Sequence, residues 1–163
     1  MKITKELLRE KGACAAGYRD FLKEFPEEEY PEGVEYQDLL DCCAEKNFSY
    51  GSWLLDAFGR TDDVRKVDGD LITEKSIIFA GRLEVSGSIE AGEGIEAGWG
   101  IKAGRGIKAG EGIEAGWGIK AGWEFGIYAG LRVRITSEYR KIIAKTKPEN
   151  IMCGEFVEVT END

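Results

Sequence analysis

The side chains that could do chemistry in this chain are carboxylates and thiols, because none of its 163 residues is a histidine. Without imidazole, Ser-His-Asp and Cys-His nucleophile systems, histidine general bases and histidine-containing zinc sites are all excluded. Four cysteines remain: Cys14, Cys42, Cys43 and Cys153. They form neither a Cys-x-x-Cys pair nor a disulfide framework, so we expect buried reduced thiols. We expect no catalytic residues, no bound metal and no cofactor.

Glutamates and glycines recur along the chain, and both have a non-chemical interpretation. The repeated glutamates could supply an acid and a base, but exposed charges in a repeat usually form a solvated face. The segment "GEGIEAG" superficially resembles a phosphate-binding loop. Glycine recurs throughout the repeat, however, and neither the P-loop lysine nor a helix follows it. Nucleotide binding has no support.

The charge balance limits the class of partner. The chain has 22 basic and 31 acidic side chains, a net charge of -9, which argues against direct nucleic-acid binding. A charged partner should be basic. The N-terminus "MKITKELLREKG" carries charges where a signal peptide needs an apolar stretch, and no segment approaches a membrane span. We therefore expect a cytoplasmic protein without a membrane contact.

The clearest pattern is a repeat of "AGEGIEAGWGIKAG", which occupies residues 91–104 and again 109–122, an offset of eighteen. Around it, aliphatic residues recur every six positions: Leu71, Ile77, Leu83, Ile89, Ile95, Ile101, Ile107, Ile113 and Ile119. A smaller or second apolar residue follows each one by two positions, so both face the same side of a strand. Glycines between the hexads are expected at corners, where they permit positive φ. The pattern predicts a parallel β-solenoid.

Two coil lengths compete. Three hexads per coil match the eighteen-residue offset and place Trp99 over Trp117, Arg105 over Trp123 and Glu90 beside a lysine. Two hexads per coil would pair the exposed charges better. We favour three, because exposed ion pairs contribute only about 0–1 kcal/mol each.

The segments on either side of the repeats differ in character. Residues 1–60 read as a helical head, with Thr4 as a cap, an apolar face including Tyr18, Phe21 and Leu22, and Ser49 or Ser52 capping a last helix. Residues 61–135 form the solenoid, although its frame slips after Trp123. Residues 136–163 have strand character and should cap the open end. The predicted fold class is α+β.

The string "GIKAGRGIKAG" resembles two β-helix families. Hexapeptide-repeat acyltransferases share the period, but their small inward residue precedes the aliphatic one, whereas Ala97 follows Ile95. Bactofilins, bacterial cytoskeletal proteins, are more similar through their Gly-x-Ile-x-Ala-like rungs, and this resemblance implies end-to-end self-assembly. The whole chain is also similar to small phage and prophage proteins, through "ITKELLREKGACAAGYRDFLKEF", "GIEAGWGIKAGW" and "KTKPENIMCGEF". That resemblance implies a bacterial host cell.

We therefore expect a non-enzymatic protein-interaction module that forms homo-oligomers. The proposed contact residues are exposed corner side chains and an acidic loop of the head: Trp99, Trp117, Trp123, Arg105, Glu93, Glu111, Glu27, Glu28 and Glu29. Exposed tryptophan is typical of interface centres, although the corner tryptophans could equally form a stacked ladder that stiffens the coils. By analogy, the function would be inhibition of a bacterial defence complex of the CRISPR type or another nucleic-acid-handling complex. The alternative is a bactofilin-like structural protein.

Overall fold

The computed structural model describes residues 1–160, and it begins with a small helical head. The head contains four helices, α1 (Lys5–Glu10), α2 (Ala15–Glu24), α3 (Tyr36–Lys46) and α4 (Gly51–Phe58), and one antiparallel pair of short strands, β1 (Lys2–Ile3) and β2 (Val34–Glu35). Apolar side chains on the inner faces of these helices form one core that also includes Ile78 and Ala80 of the repeats.

The sequence predicts most of the head correctly. Thr4 caps α1 by accepting a hydrogen bond from the Leu7 amide, as expected. Leu22 lies on the exposed side of α2, so its assignment to the apolar face was wrong. The predicted serine cap of α4 was also wrong, because Tyr50 occupies the N-cap position without a side-chain cap and Ser52 lies inside the helix.

Parallel strands then wind through the repeats. Their bounds are β3 (Val64–Val67), β4 (Leu71–Thr73), β5 (Ile77–Phe79), β6 (Arg82–Val85), β7 (Ile89–Ala91), β8 (Ile95–Ala97), β9 (Gly100–Ala103), β10 (Ile107–Ala109), β11 (Ile113–Ala115), β12 (Gly118–Lys120), β13 (Ile127–Tyr128), β14 (Lys141–Ala144), β15 (Ile151–Cys153) and β16 (Glu155–Glu158). They form three parallel sheets in the orders β15-β13-β10-β7-β4, β16-β14-β11-β8-β5 and β12-β9-β6-β3. The architecture is a β-solenoid of about five coils.

Each coil contains three hexads, as predicted. Ile107 lies beside Ile89, and Ile113 lies beside Ile95, so the register between coils is eighteen residues. Both members of each hexad pair point inward, and Ile107 and Ala109 are 0% exposed. The long aliphatic column and the small alanine beside it fill a narrow core that three short strands can enclose.

The corner glycines have a different role from the one expected. Gly104 and its counterparts do not have positive φ. Instead, an ideal Cβ built on Gly104 would lie 2.0 Å from the carbonyl oxygen of Ser86, one coil earlier. Glycine is therefore required there because the backbones of adjacent coils approach closely.

The C-terminal segment extends the stack beyond the regular coils. After the frame slip, Ile127 lies beside Ile107 at an offset of twenty residues, and a long connection, 129–140, leads to β14. Strand β14 pairs in parallel with β11, β15 with β13, and β16 with β14. The predicted C-terminal strands thus extend two of the three sheets, while the third sheet ends at β12, and residues 161–163 of the expected cap lie outside the described part.

The head closes one strand edge at the other end of the solenoid. Helix α3 packs against β5. The Gln37 side chain makes the backbone hydrogen bonds that a neighbouring strand would otherwise make. Its amide oxygen accepts from the Ala80 amide at 3.1 Å, and its nitrogen donates to the Ile78 carbonyl at 2.8 Å. The head therefore blocks this edge from pairing with another chain.

Candidate functional site

Trp99 and Trp117 lie one above the other at one corner of the solenoid, as the eighteen-residue register predicts. Their ring centroids are 6.2 Å apart and the rings are tilted by 54°. The Arg60 guanidinium carbon lies 3.5 Å from the centroid of the first ring, and Lys145 Nζ lies 5.1 Å from that of the second. The two rings thus form a ladder with a cation at each end, which stabilises this corner.

Arg105 and Trp123 lie at a second corner but are not in register. The amide of Gly122, not that of Trp123, donates to the Arg105 carbonyl at 2.9 Å, so the stacking has already slipped by one residue. Trp123 is 88% exposed as a result. The expected stacking of Trp123 over Arg105 is therefore wrong, and the slip sends the tryptophan into solvent.

Two further exposed apolar side chains belong to, or pack against, the loop that carries Trp123. Phe125 is 43% exposed and Met152 is 66% exposed. The ring of Phe125 lies against Gly122, and the Met152 side chain lies against Gly126, which follows Phe125. We call Trp123, Phe125 and Met152 the aromatic corner. Asn150 fixes its backbone, because Nδ2 donates to the carbonyls of Gly122, at 3.1 Å, and of Phe125.

Glu93 and Glu111 lie at the third corner, stacked one coil apart. The Glu111 amide donates to the Glu93 carbonyl at 3.2 Å, and Glu93 accepts from the Ser76 hydroxyl at 3.2 Å. The 129–140 connection begins on this corner, where Arg132 reaches back to Glu74 at 2.8 Å. This corner is accordingly less acidic than its sequence indicates.

The acidic loop of the head is partly neutralised too. Glu27 forms an ion pair with Lys5, and Glu32 pairs with Lys2 at 3.1 Å. Glu28 and Glu29 are exposed. Of the three loop residues proposed for contact, these two present the more accessible charge.

A groove that the sequence did not reveal separates the head from the solenoid. It has a volume of about 370 Å³ and carries four carboxylates, Glu96, Glu111, Glu114 and Glu138, of which Glu138 forms an ion pair with Lys141. Glu96 and Glu114 are neighbours in adjacent strands, and Ser52 donates to Glu96 at 2.9 Å. Partial burial in the groove raises the pKa of both, and nearby carboxylates raise each further. Glu96 is half-buried, whereas much of Glu114 stays exposed, so the effect of burial is weaker at Glu114. No local motif could have revealed the groove, because its walls come from distant segments.

The thiols do not form a metal or disulfide site. Within residues 1–160 all four cysteines are free, and no cluster of three or more potential metal ligands is present. The expectation of buried thiols was right only for Cys43, because Cys14 is exposed and Cys42 and Cys153 are partly exposed. Burial raises the pKa of the Cys43 thiol to about 12, so this residue is inert at neutral pH. No helix in the described part of the chain is long and apolar enough to span a membrane.

The fold and these surfaces define a two-part protein, a helical head docked on a β-solenoid whose corners present aromatic and acidic side chains. Residues 1–61 match the family model of the YdhT N-terminal domain, which coincides with the head. Neither the curated proteins nor the solved structures gave a match. The family match concerns the head, and it does not test the resemblances drawn from the repeats.

Proposed function

We propose that this chain is a non-catalytic protein-binding module and that the aromatic corner is its main contact. The observation that carries the proposal is the 88% exposure of Trp123 on a loop that also holds the exposed Phe125 and packs against the exposed Met152. Tryptophan is enriched among the residues that contribute most to binding, and scattered single apolar residues do not form such a patch.

The corner is also held in place before binding. The two hydrogen bonds from Asn150 fix the loop at its start and in its middle, and the loop lies between two strands of the solenoid. A fixed loop loses little conformational entropy when a partner binds, so more of the contact energy contributes to affinity.

The partner is expected to be basic. The net charge of -9 favours association with a positively charged surface, and the head–solenoid groove and the exposed Glu28 and Glu29 supply local negative charge. A more specific form of the proposal is inhibition of a nucleic-acid-handling complex, such as a CRISPR-type defence complex of a bacterial host, by occupying its basic groove. The support for that form is the charge and the analogy with small acidic inhibitors.

The test compares capture by three forms of the full chain: the parent, Trp123→Ser and Ile72→Ser. Ile72 is a matched control because it is 62% exposed on β4, away from the aromatic corner. Bacterial lysate is passed over each immobilised protein, and any captured protein is then purified and titrated by calorimetry. We expect a basic protein that binds the parent and Ile72→Ser equally and Trp123→Ser at least tenfold more weakly. Equal affinity for all three forms would refute the assignment of the corner.

Self-assembly is the second candidate, and one observation favours it. Strands β12, β15 and β16 end the three sheets, and Ile151 and Phe156 are only partly buried at that end of the core. Gln37 covers β5 at the opposite end, which restricts simple end-to-end stacking. Sedimentation velocity distinguishes the candidates: growing filaments support self-assembly, whereas a defined small species supports the binding module.

A further inference from the structure

The helical head contains an apolar cavity of about 280 Å³ that none of the surfaces above includes. It lies between α2 on one side and α3 with the start of α4 on the other. Its floor consists of side chains that are at most 7% exposed: Leu8, Phe21, Leu39, Cys43 and Leu54. Aromatic side chains form much of the wall: Phe25, Phe48, Tyr50 and Trp53.

The wall is fixed by specific contacts. The Tyr50 hydroxyl donates to Asp20 Oδ2 at 2.9 Å, and the Tyr50 ring lies 5.7 Å from that of Phe48. Gly17 allows this arrangement, since a Cβ on it would lie 3.3 Å from Tyr50 Cε1. The cavity is therefore held open by the packing of the head, as in a pre-formed ligand site.

The charges at the cavity decide which molecules can enter. Asp20 and Glu24 are the only charged side chains among the lining residues, all of which lie in the described part of the chain. Lys46 forms an ion pair with Glu24 at 3.4 Å, and Asp20 accepts the hydrogen bond from the Tyr50 hydroxyl. An anionic ligand would meet two carboxylates and no basic side chain among the lining residues, which opposes its burial.

We propose that this cavity binds an uncharged, apolar small molecule. An apolar cavity of about 150 Å³ engineered in another protein binds benzene, so the volume here has room for about two fused aromatic rings or a short aliphatic chain. All lining residues fall within the segment that matches the YdhT N-terminal domain. This binding would belong to the head and does not depend on the function proposed for the aromatic corner.

Two fluorescent probes with one aromatic skeleton test the ligand class. N-phenyl-1-naphthylamine is uncharged, and 1-anilinonaphthalene-8-sulfonate adds a sulfonate to nearly the same rings. In both, the naphthalene matches the cavity volume, and the phenyl ring would lie at the open side, where the lining residue Cys14 is exposed. We expect the full chain to enhance and blue-shift the emission of the uncharged probe with saturable binding, and to bind the sulfonate at least tenfold more weakly. Failure to bind the uncharged probe, or equal binding of the sulfonate, would overturn the proposal.

Variants at Cys42, a partly exposed lining residue, locate the binding. Cys42→Phe should fill the cavity and reduce the affinity for the uncharged probe at least tenfold, whereas the size-matched Cys42→Ser should keep it within about twofold. Trp123→Ser should also keep it, which separates this site from the aromatic corner. Unchanged binding by Cys42→Phe would contradict the location.

A measurement on the parent protein covers the case in which Cys42→Phe does not fold. The chain is alkylated with N-ethylmaleimide with and without the uncharged probe, and each cysteine is quantified by peptide mass spectrometry. Cys42 should be protected several-fold by the probe. Cys153, on β15 of the solenoid, is the internal control and should react equally in both samples. Equal labelling of Cys42 in both samples would refute the site.

Discussion

Replacing Gly104 by alanine should destabilise the solenoid strongly, although it adds a single methyl group. The new Cβ would lie 2.0 Å from the Ser86 carbonyl oxygen, whereas ordinary contacts begin at 3.4 Å. The two coils would have to separate by more than about 1 Å at this corner. The obstacle is backbone, so no side chain can rotate away to make room.

The expected cost follows from the contacts at that corner. The Gly104 amide donates to the Val85 carbonyl at 2.9 Å, and the Arg105 amide donates to the Gly87 carbonyl at 3.0 Å. Overpacking costs about 1–3 kcal/mol, and each weakened hydrogen bond about 0.5–1.5 kcal/mol. We therefore expect a loss of about 2–6 kcal/mol in the free energy of unfolding.

Gly94 supplies the matched control. A Cβ on Gly94 would lie 3.5 Å from the nearest carbonyl oxygen, that of Gly112, which is an ordinary contact. Gly94→Ala should therefore be neutral, or stabilising by about 0.4–1 kcal/mol through the unfolded chain. Urea unfolding followed by far-UV circular dichroism measures both variants. The reasoning would be refuted if Gly104→Ala were as stable as the parent, or if both substitutions destabilised equally.

Three other substitutions test the core, the groove and the ladder. Ile107→Asp places an unpaired charge at a position that is 0% exposed, so it should cost about 4 kcal/mol or more in urea unfolding; native stability would show that the register is wrong. Glu114→Gln should stabilise the protein at pH 7, because burial and the neighbouring Glu96 raise the pKa of Glu114 above its usual 4.5. The folded state then takes up protons more readily than the unfolded state, so stability is lost as pH rises through the raised pKa, and the advantage of the variant should shrink toward pH 4.5; a constant difference would contradict this. Replacing Trp99 and Trp117 together by serine should cost about 1–3 kcal/mol, since the ring pair and its cations are lost; unchanged unfolding would mean that the ladder contributes nothing.

The sequence predicts the regular part of this fold because that part is periodic. Each hexad repeats the same inward pair, and the duplicated fourteen residues set the coil length, so the neighbours of Ile107 and Trp99 could be named in advance. The pairing of exposed charges predicted the coil length less well than the eighteen-residue offset did, because Glu96 lies beside Glu114 despite their like charge. The core outweighs that repulsion because burying the aliphatic columns stabilises the coils more than one pair of like charges destabilises them.

The residues whose roles the sequence did not reveal make contacts with segments that are distant in the sequence. Gln37 covers the edge of β5, and Arg60 covers the Trp99 ring. Asn150 holds the loop that begins near Gly122. None of these belongs to a local motif, because a single amide or guanidinium gains its role only when folding brings a distant segment beside it. The same is true of the head–solenoid groove.

The candidate contact sites lie where the repeat is interrupted. In the regular coils the corners stack on one another, so that even Trp99 is covered by Arg60 and by the next tryptophan. The slip after Gly122 breaks this stacking and exposes Trp123, and the 129–140 connection leaves Ile135 78% exposed. In a solenoid with uninterrupted repeats, most corner side chains would contact their counterparts in the adjacent coils. The interruptions therefore expose Trp123 and Ile135 more fully than the regular coils expose Trp117, which is 54% exposed, and the regular coils keep the surface proposed for binding in a fixed position.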